Sequence, residues 1–340
     1  MPQTTVRRFF GFLSIGTILC GSALAADSQL LNFVMPDVKV LAGVNVTSAR
    51  ISPLGQFLIL KLNLMGPGVQ KFIAATGFNP LQDVTEVLAA SNGDTASPTG
   101  LLMARGNFPV DKLTSLASSA SGTNPPQVSA YGGATLITLN EPGGKIPHGV
   151  AFLGNTIAIV GDLASVKAAI DRNAGANSLE PALAVKVNAL SSSQDEWLVS
   201  TASIASLLPA NVSADAAKGP VAQVLPLIKS VQSFSGGVKF ADNVIVSGEA
   251  VTTDEKNALA LSAVVKLGMT LLGSISSGQT NPQLADLVAT LQNAQLSTNG
   301  PALDLTLSIP EAQIENLLNS ARVVKPAGVV EYRGEIRKGN

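Results

Sequence analysis

Apolar residues recur at every second position in several separate runs of this chain. The alternation is clear at 38–46, and it returns late in the chain at 303–309. Successive side chains of a β-strand point to opposite faces, so this spacing predicts strands that bury one face. Elsewhere the apolar residues are three or four apart behind a capping residue, as in Leu163, Val166 and Ile170 after Asp162, which predicts amphipathic helices.

Predicted strands and capped helices alternate along most of the chain, which is typical of an α+β layer arrangement. The strands are 38–46, 100–107, 128–139, 149–160, 197–201, two within 232–251 that turn at Asp242-Asn243, and 303–309. The helices begin near Pro53, Val69, Asn79, Pro109, Asp162, Val221, Thr252, Leu284 and Ile314. The leucines after Pro53 also alternate, so a strand is the alternative there. The helix from Asn79 is expected to carry Leu81, Val84 and Leu88.

The order of elements in the first half recurs in the second half. We therefore predict an α+β fold of two similar tandem units, each a curved, mostly antiparallel sheet with helices packed on one face. The first unit spans 26–175, the second spans 176–322, and 323–340 is a C-terminal tail. The boundary lies near 173–180, where Gly, Asn, Ser and Pro gather.

The first 25 residues have the three parts of a secretory signal peptide. Arg7 and Arg8 give a positive start, 9–19 is an apolar run too short to span a bilayer comfortably, and Ala23-Leu24-Ala25 is a small-x-small cleavage site. Cleavage between Ala25 and Ala26 is expected. Lipid attachment at Cys20 and an uncleaved anchor are the alternatives. The segment predicts a secreted, periplasmic or cell-surface protein of a bacterium.

Cleavage would remove the only cysteine of the chain, Cys20. The mature protein could then form no disulfide, thiolate nucleophile or cysteine-ligated metal site, and its stability would come from burial. Its composition suits that, because 46% of residues are hydrophobic and 13% are charged. A pI near 5.9 and an aromatic content of 4% argue against a nucleic-acid ligand.

Two segments carry a resemblance to a known class of proteins. They are 77–84, Gly-Phe-Asn-Pro-Leu-Gln-Asp-Val, and 154–162, Gly-Asn-Thr-Ile-Ala-Ile-Val-Gly-Asp, with the helix that follows. In these the chain resembles exported bacterial proteins of unknown function built from tandem α+β units. The resemblance implies a duplicated fold and export, and it assigns no chemical role to any residue.

The motifs of covalent catalysis are missing from the sequence. No serine has glycines two positions before and two after it, and no serine stands three positions before a lysine. His148 is the only histidine and is expected at a solvated turn. Three carboxylate pairs have simpler explanations. Negative charge is favoured in the first turns of a helix, which accounts for Asp83 with Glu86 and for Asp254 with Glu255. Asp195 with Glu196 precedes a predicted strand. We therefore predict no catalytic, cofactor-binding or metal-ligating set.

A long helix from Asp254 to about Ser274 is apolar nearly all round. A lysine at mid-bilayer is costly, so Lys266 in its centre argues against insertion in lipid. Burial between layers, or cover by a partner, is the favoured interpretation. If part of the circumference is uncovered, the residues Val264, Leu267, Leu271 and Leu272 are the candidate apolar binding surface.

The sequence thus favours an exported, non-enzymatic protein. Its partner is expected to be another exported protein, a peptide or an apolar ligand, bound at a sheet edge or in a groove between sheet and helices. No nucleic-acid partner and no integral membrane span after cleavage are expected. The alternative is an extracytoplasmic hydrolase or transferase that uses only carboxylates and hydroxyls.

Overall fold

The computed structural model describes residues 26–62, 67–94, 97–122, 124–139, 146–173, 179–207, 221–241, 243–276 and 282–320. The expected signal peptide 1–25, with Cys20 and the Ala25 side of the cleavage site, lies outside the described residues. So do the expected C-terminal tail 323–340 and part of the expected boundary, 174–178.

Twelve strands of the described chain form one open sheet in which every neighbouring pair is antiparallel. The strands are β1 Val40–Asn45, β2 Val84–Ser91, β3 Gly100–Gly106, β4 Gln127–Tyr131, β5 Ala134–Leu139, β6 His148–Leu153, β7 Ile157–Asp162, β8 Glu196–Ser200, β9 Val231–Phe240, β10 Asn243–Thr252, β11 Gln295–Asn299 and β12 Ala302–Pro310. Their order is β11-β12-β10-β9-β8-β1-β2-β3-β7-β6-β5-β4, with β11 and β4 at the two edges.

Thirteen helices are described with this sheet. They are α1 Ser28–Leu31, α2 Val46–Ile51, α3 Pro53–Leu62, α4 Pro67–Thr76, α5 Pro80–Asp83, α6 Val110–Ser118, α7 Leu163–Arg172, α8 Pro181–Ser193, α9 Ile204–Leu207, α10 Val221–Lys229, α11 Glu255–Ser276, α12 Pro282–Gln292 and α13 Glu311–Ser320. The fold is therefore α+β with a large antiparallel sheet, as predicted from the sequence.

The two halves of the chain share this sheet because β1 pairs with β8. Leu41 lies opposite Val199, and Gly43 lies opposite Trp197. Side chains of directly opposed residues in an antiparallel pair lie on the same face, so the faces run without a break across the seam. The expected units 26–175 and 176–322 therefore contribute neighbouring parts of a single sheet.

From the seam outward, the first half contributes seven strands, β1-β2-β3-β7-β6-β5-β4, and the second contributes five, β8-β9-β10-β12-β11. The helices that follow β7 and β12 lie on opposite faces. Ile170 of α7 joins the cluster that contains Leu101 and Ile159, whereas Ile314 of α13 packs with Val244 on the other face. The similarity of the two units stays a prediction.

Helices cover both faces of the sheet, whereas one face was expected from the sequence. The first face carries Leu41, Leu88, Met103 and Ile159, and α1, α7 and α8 pack on it. The second face is covered by α4 and α6 in the first half and by α3, α11 and α13 in the second. The reason is that the strands near the seam are apolar on both sides, as at Met103 and Ala104, so each side needs cover.

An aromatic row lies within the core of the second face. The rings of Phe78 and Phe108 are 5.4 Å apart, and those of Phe108 and Phe152 are 5.7 Å apart. Tilted rings at this spacing add to the free energy gained by burial. The row packs the last part of β6, at Phe152, against the residues just before α6, at Phe108.

The first face becomes polar on the outer strands of the second half. Ser247 and Glu249 on β10, and Asp304 and Thr306 on β12, share this side. Only α8 is seen to reach it among the described residues, through an ion pair between Lys186 and Glu249. The second half therefore buries mainly its other face, the side on which α11 lies.

Several predicted elements differ from those observed. The segment after Asn79 forms a single turn, α5, and Val84–Ser91 is a strand. Leu88 and Ala90 are buried on the first face, whereas Val84, beyond a register shift, is buried on the second. The predicted strands 128–139 and 149–160 are each a hairpin of two strands. Gly132, Gly133 and Gly154 have positive φ at the tight turns, a conformation that glycine adopts without strain.

Candidate functional site

The candidate site is the long helix α11, whose start is fixed by local hydrogen bonds. The backbone N–H of Asn257 donates to Asp254 Oδ1 at 2.9 Å, and the Asn257 side chain donates to Asp254 and to Thr253. The bond from the Asn257 N–H lowers the pKa of Asp254, as expected for a carboxylate that caps a helix. The cap thus starts α11 at Glu255, three residues after the last residue of β10, Thr252.

One side of α11 anchors it to the sheet. Ala258 and Leu261 are buried, and Leu261 and Val265 pack in a cluster with Leu303 of β12 and Leu296 of β11. Residues at these spacings share a face of a helix. This side is apolar because it covers the second face near the β11 edge.

A second side of α11, about a third of a turn round the helix from the first, is also apolar and is partly open to solvent. Ala260, Val264, Leu267 and Leu271 follow one another at spacings of four, three and four residues, so they form one stripe. Leu267 is 59% exposed and Leu271 is 53% exposed, while Val264 is half-buried. An aliphatic stripe that faces water is unusual for a surface helix of a monomeric soluble protein.

Leu272 extends this apolar surface on the side that faces the sheet. It follows Leu261 and Val265 in the helical row, yet 47% of it is exposed. The row thus loses its cover toward the end of the helix. The four residues Val264, Leu267, Leu271 and Leu272, hereafter the α11 patch, are the ones that the sequence singled out, and the structure brings them together on two turns of one helix.

The patch carries little charge. Among the described residues of α11 the charged side chains are Glu255, Lys256 and Lys266, and only Lys266 lies within the span of the patch. Gly268, Thr270 and small residues fill the spaces between the leucines. The stripe Val264, Leu267 and Leu271 within the patch is therefore an aliphatic ridge, convex because it lies on the solvent-facing side of a helix.

A free strand edge lies near this ridge. Strand β11 pairs only with β12 within the described chain, and Leu296 of β11 joins the cluster under α11. The expected sheet edge and the apolar helix thus occur at the same end of the molecule. The other edge, β4, is exposed along most of its length.

The carboxylates considered for catalysis are held on separate elements. Asp83 accepts from the N–H of Asn79 at 2.6 Å, and Asp254 caps α11. Asp195 is fully buried just before β8, where it accepts from Lys239 Nζ at 2.9 Å and from the Phe240 N–H at 3.0 Å. This buried ion pair could not be predicted from sequence, because Asp195 and Lys239 are distant along the chain.

His148 lies exposed at the first position of β6, opposite Leu139 and Asp162 in the neighbouring strands. Replacing it with alanine is expected to leave the free energy of unfolding within about 0.5 kcal/mol of the original, as for most exposed positions. Urea unfolding of both chains measures this. A variant that loses several times that amount would show that the imidazole makes a contact important to the fold.

The described residues contain no cluster of three or more His, Cys, Asp or Glu side chains arranged to hold a metal ion. None of their helices combines the length and apolarity needed to cross a bilayer. Helix α11 is included in that finding.

Comparison with known proteins gives a weak similarity of fold. No family model matches the chain, and no curated protein matches its sequence. Three crystal forms of TP0453, a protein of Treponema, are similar in structure. Form I has 12% identity, a TM-score of 0.45 and covers 87% of this chain and 99% of that one. Form III has 11% identity and a TM-score of 0.47, and it covers 87% of this chain and 99% of that one. Form IV has 10% identity and a TM-score of 0.49, and it covers 86% of this chain and 97% of that one.

Proposed function

We propose that the protein is an exported, non-enzymatic binding protein that holds a partner protein on the α11 patch. The observation that carries this proposal is the exposure of Leu267, Leu271 and Leu272 on two turns of one helix. Burying an exposed leucine contributes about 1.5–3 kcal/mol, so a partner that covers this ridge gains substantial free energy.

The shape of the patch favours a macromolecule over a small ligand. Small molecules are bound in concave sites that bury most of their surface. The outward stripe of α11 is convex, so a small apolar molecule would remain largely in water there. A groove on another protein, or a second helix, can cover the ridge through contacts at Val264, Leu267 and Leu271.

The charge of α11 favours a protein over a lipid surface. Helices that lie in a membrane interface are rich in Lys and Arg, which attract anionic headgroups. The described part of α11 has two lysines and one glutamate, and the whole chain has a formal charge of -1. Removal of Arg7 and Arg8 with the signal peptide would make the chain more negative, which weakens attraction to such a surface further.

Site-specific photocross-linking in the exporting cell tests the proposal. A photoreactive phenylalanine analogue replaces Leu267 in one chain and Val185, an isolated exposed valine on α8, in the control chain. We expect one dominant protein adduct from position 267 and none of that mass from position 185. An adduct with lipid, or no adduct at all, would contradict a protein partner.

A pair of charged substitutions measures the effect of the patch. In the double variant Leu267→Asp and Leu271→Asp, the adduct formed from position 264 is expected to fall at least tenfold, because a carboxylate cannot enter an apolar contact without losing its hydration. Both side chains are already exposed, so the free energy of unfolding should change by less than about 1 kcal/mol. Val185→Asp is the matched control and should leave the adduct unchanged.

Vesicle binding tests the remaining alternative, that the α11 patch binds lipid. If vesicles of phosphatidylglycerol and phosphatidylcholine sediment the original chain but not the double variant, the α11 patch binds lipid and the proposal of a protein partner is wrong. We expect neither chain to sediment with them.

A further inference from the structure

The first described residues are tightly held against the sheet. The side chain of Ala26 packs on the core of the first face. Asp27 caps α1, since its Oδ1 accepts from the N–H groups of Gln29 at 2.8 Å and Leu30 at 3.3 Å. Leu30 and Leu31 are buried. The backbone at Asp27 is therefore held in place, and Ala26 lies beside the core.

Two carboxylates and one guanidinium meet at this point. Glu86 of β2 lies opposite Arg105 of β3, and its Oε1 accepts from the Asp27 N–H at 3.0 Å. Arg105 pairs with the Asp27 carboxylate and donates to Gln29 Oε1 at 2.7 Å. The three charged groups sum to one excess negative charge, so the cluster is electrostatically suited to one more cation.

The surroundings of Glu86 also favour the binding of an added cation. Burial raises the pKa of Glu86, and the nearby Asp27 carboxylate raises it as well. The hydrogen bond from the Asp27 N–H and the charge of Arg105 lower it, but they do not compensate fully. A half-buried carboxylate whose ionised form is incompletely compensated gains more from an added positive charge than an exposed one does.

A cation would arise here if the chain were cut after Ala25. The backbone nitrogens of Ala26 and Asp27 are consecutive, hence no more than about 3.6 Å apart. The Ala26 nitrogen is then within about 7 Å of Glu86 Oε1, given the 3.0 Å bond from Asp27. With no residue before it, an ammonium at Ala26 is free to turn toward the carboxylate.

We propose that Glu86 is the receptor for the α-ammonium group that cleavage after Ala25 creates on Ala26, so that processing adds an ion pair joining the mature N-terminus to β2. This inference rests on the export proposed above. Before cleavage the same nitrogen belongs to an uncharged peptide bond, and the cluster keeps its excess negative charge. Cleavage therefore completes the electrostatics of a site that the fold already holds in place.

The ionisation of the Ala26 amine tests the proposal directly. An ordinary α-amino group has a pKa of about 7.7–8.0. In a chain that begins at Ala26 and carries ¹⁵N-alanine, we expect an NMR titration to give a value about one unit higher, a tenfold tighter hold on the proton. A raised pKa means that the ion pair stabilises the fold below the ordinary value and is lost as the pH rises through the raised one.

Three variants make the result specific, two that should lose the raised pKa and one control. Glu86→Gln retains an oxygen that accepts from the Asp27 N–H, so the fold should persist while the amine returns to its ordinary pKa. A chain that keeps Ala25 as its first residue moves the ammonium outward, and its amine should also be ordinary. Glu255→Gln removes a glutamate charge from α11, far along the chain, and should leave the raised value of Ala26 unchanged.

The failures are distinguishable. An Ala26 amine with the same pKa in the original chain and in Glu86→Gln overturns the ion pair and leaves export untouched. An exported product whose intact mass shows a first residue other than Ala26 also overturns the ion pair, because the ammonium group would then belong to another residue. Neither outcome bears on the cross-linking at position 267, which tests the α11 patch.

Discussion

Trp197→Ala is expected to destabilise the protein by about 3–5 kcal/mol, the range found when a buried tryptophan or phenylalanine is truncated. Trp197 lies on β8 at the seam between the halves, where 6% of it is exposed. A β-carbon added to Gly43, the opposite residue on β1, would overlap the indole ring, so the ring lies directly across the glycine. Truncation would leave a cavity with Leu183 and Val187 of α8 above it.

Leu198→Ala is the matched control for this substitution. Leu198 is the next residue of the same strand, it points to the other face, and 37% of it is exposed. Its truncation should cost less than about 1.5 kcal/mol, since less surface returns to water. Trp197 is the only tryptophan, so urea unfolding must be followed by circular dichroism. Equal costs for the two variants would contradict the role of the seam.

The second large effect is expected from Lys239→Met. The Asp195 carboxylate is fully buried, and the substitution removes the ammonium group that pairs with it. Breaking a buried ion pair by deleting one partner costs about 3 kcal/mol or more, because the other charge remains in the interior uncompensated. The Phe240 N–H would still donate to Asp195, but a single amide does not replace a full charge.

Comparing single and double variants separates the contribution of the ion pair from that of the packing. Replacing both partners with apolar side chains, Lys239→Met with Asp195→Leu, should cost less than Lys239→Met alone, because no buried charge is left behind. Lys239→Arg keeps the charge and should cost the least of the three. If the double variant is the least stable, the Asp195 site is important for its hydrogen bonds to the backbone and not for its charge.

Elements with one strong pattern were predictable from sequence. Asp162 as a cap and the alternation at 303–309 lie where the local pattern indicates. Helix α11 was predicted to begin near Thr252-Thr253 and begins at Glu255, because β10 continues to Thr252. Strand β11 was missed because 295–299 is mainly polar, which is possible at a sheet edge with little to bury. Helix α8 was also missed, since its small residues show no clear helical period.

The candidate site was predictable in position but not in exposure. An apolar circumference identified α11, and Val264, Leu267, Leu271 and Leu272 were named from it. Whether such a helix is buried depends on where the sheet ends, and that depends on β11, a strand with no strong pattern of its own. The pairing of β1 with β8 could not be predicted either. The register of strands so far apart in sequence is set by the packing of the whole sheet.

The seam between β1 and β8 also determines when the fold can be completed. Lys39 and Thr201, which are bonded at one end of the seam, are 162 residues apart in sequence. In a chain synthesised N-terminus first, β1 and β2 emerge long before β8, so one side of β1 has unpaired N–H and C=O groups throughout that interval. Such an edge is a template for association with other chains. Contacts of long sequence separation also form slowly. The passage from half-emerged to complete chain is thus the interval in which aggregation competes with folding, and a chaperone would have most effect there.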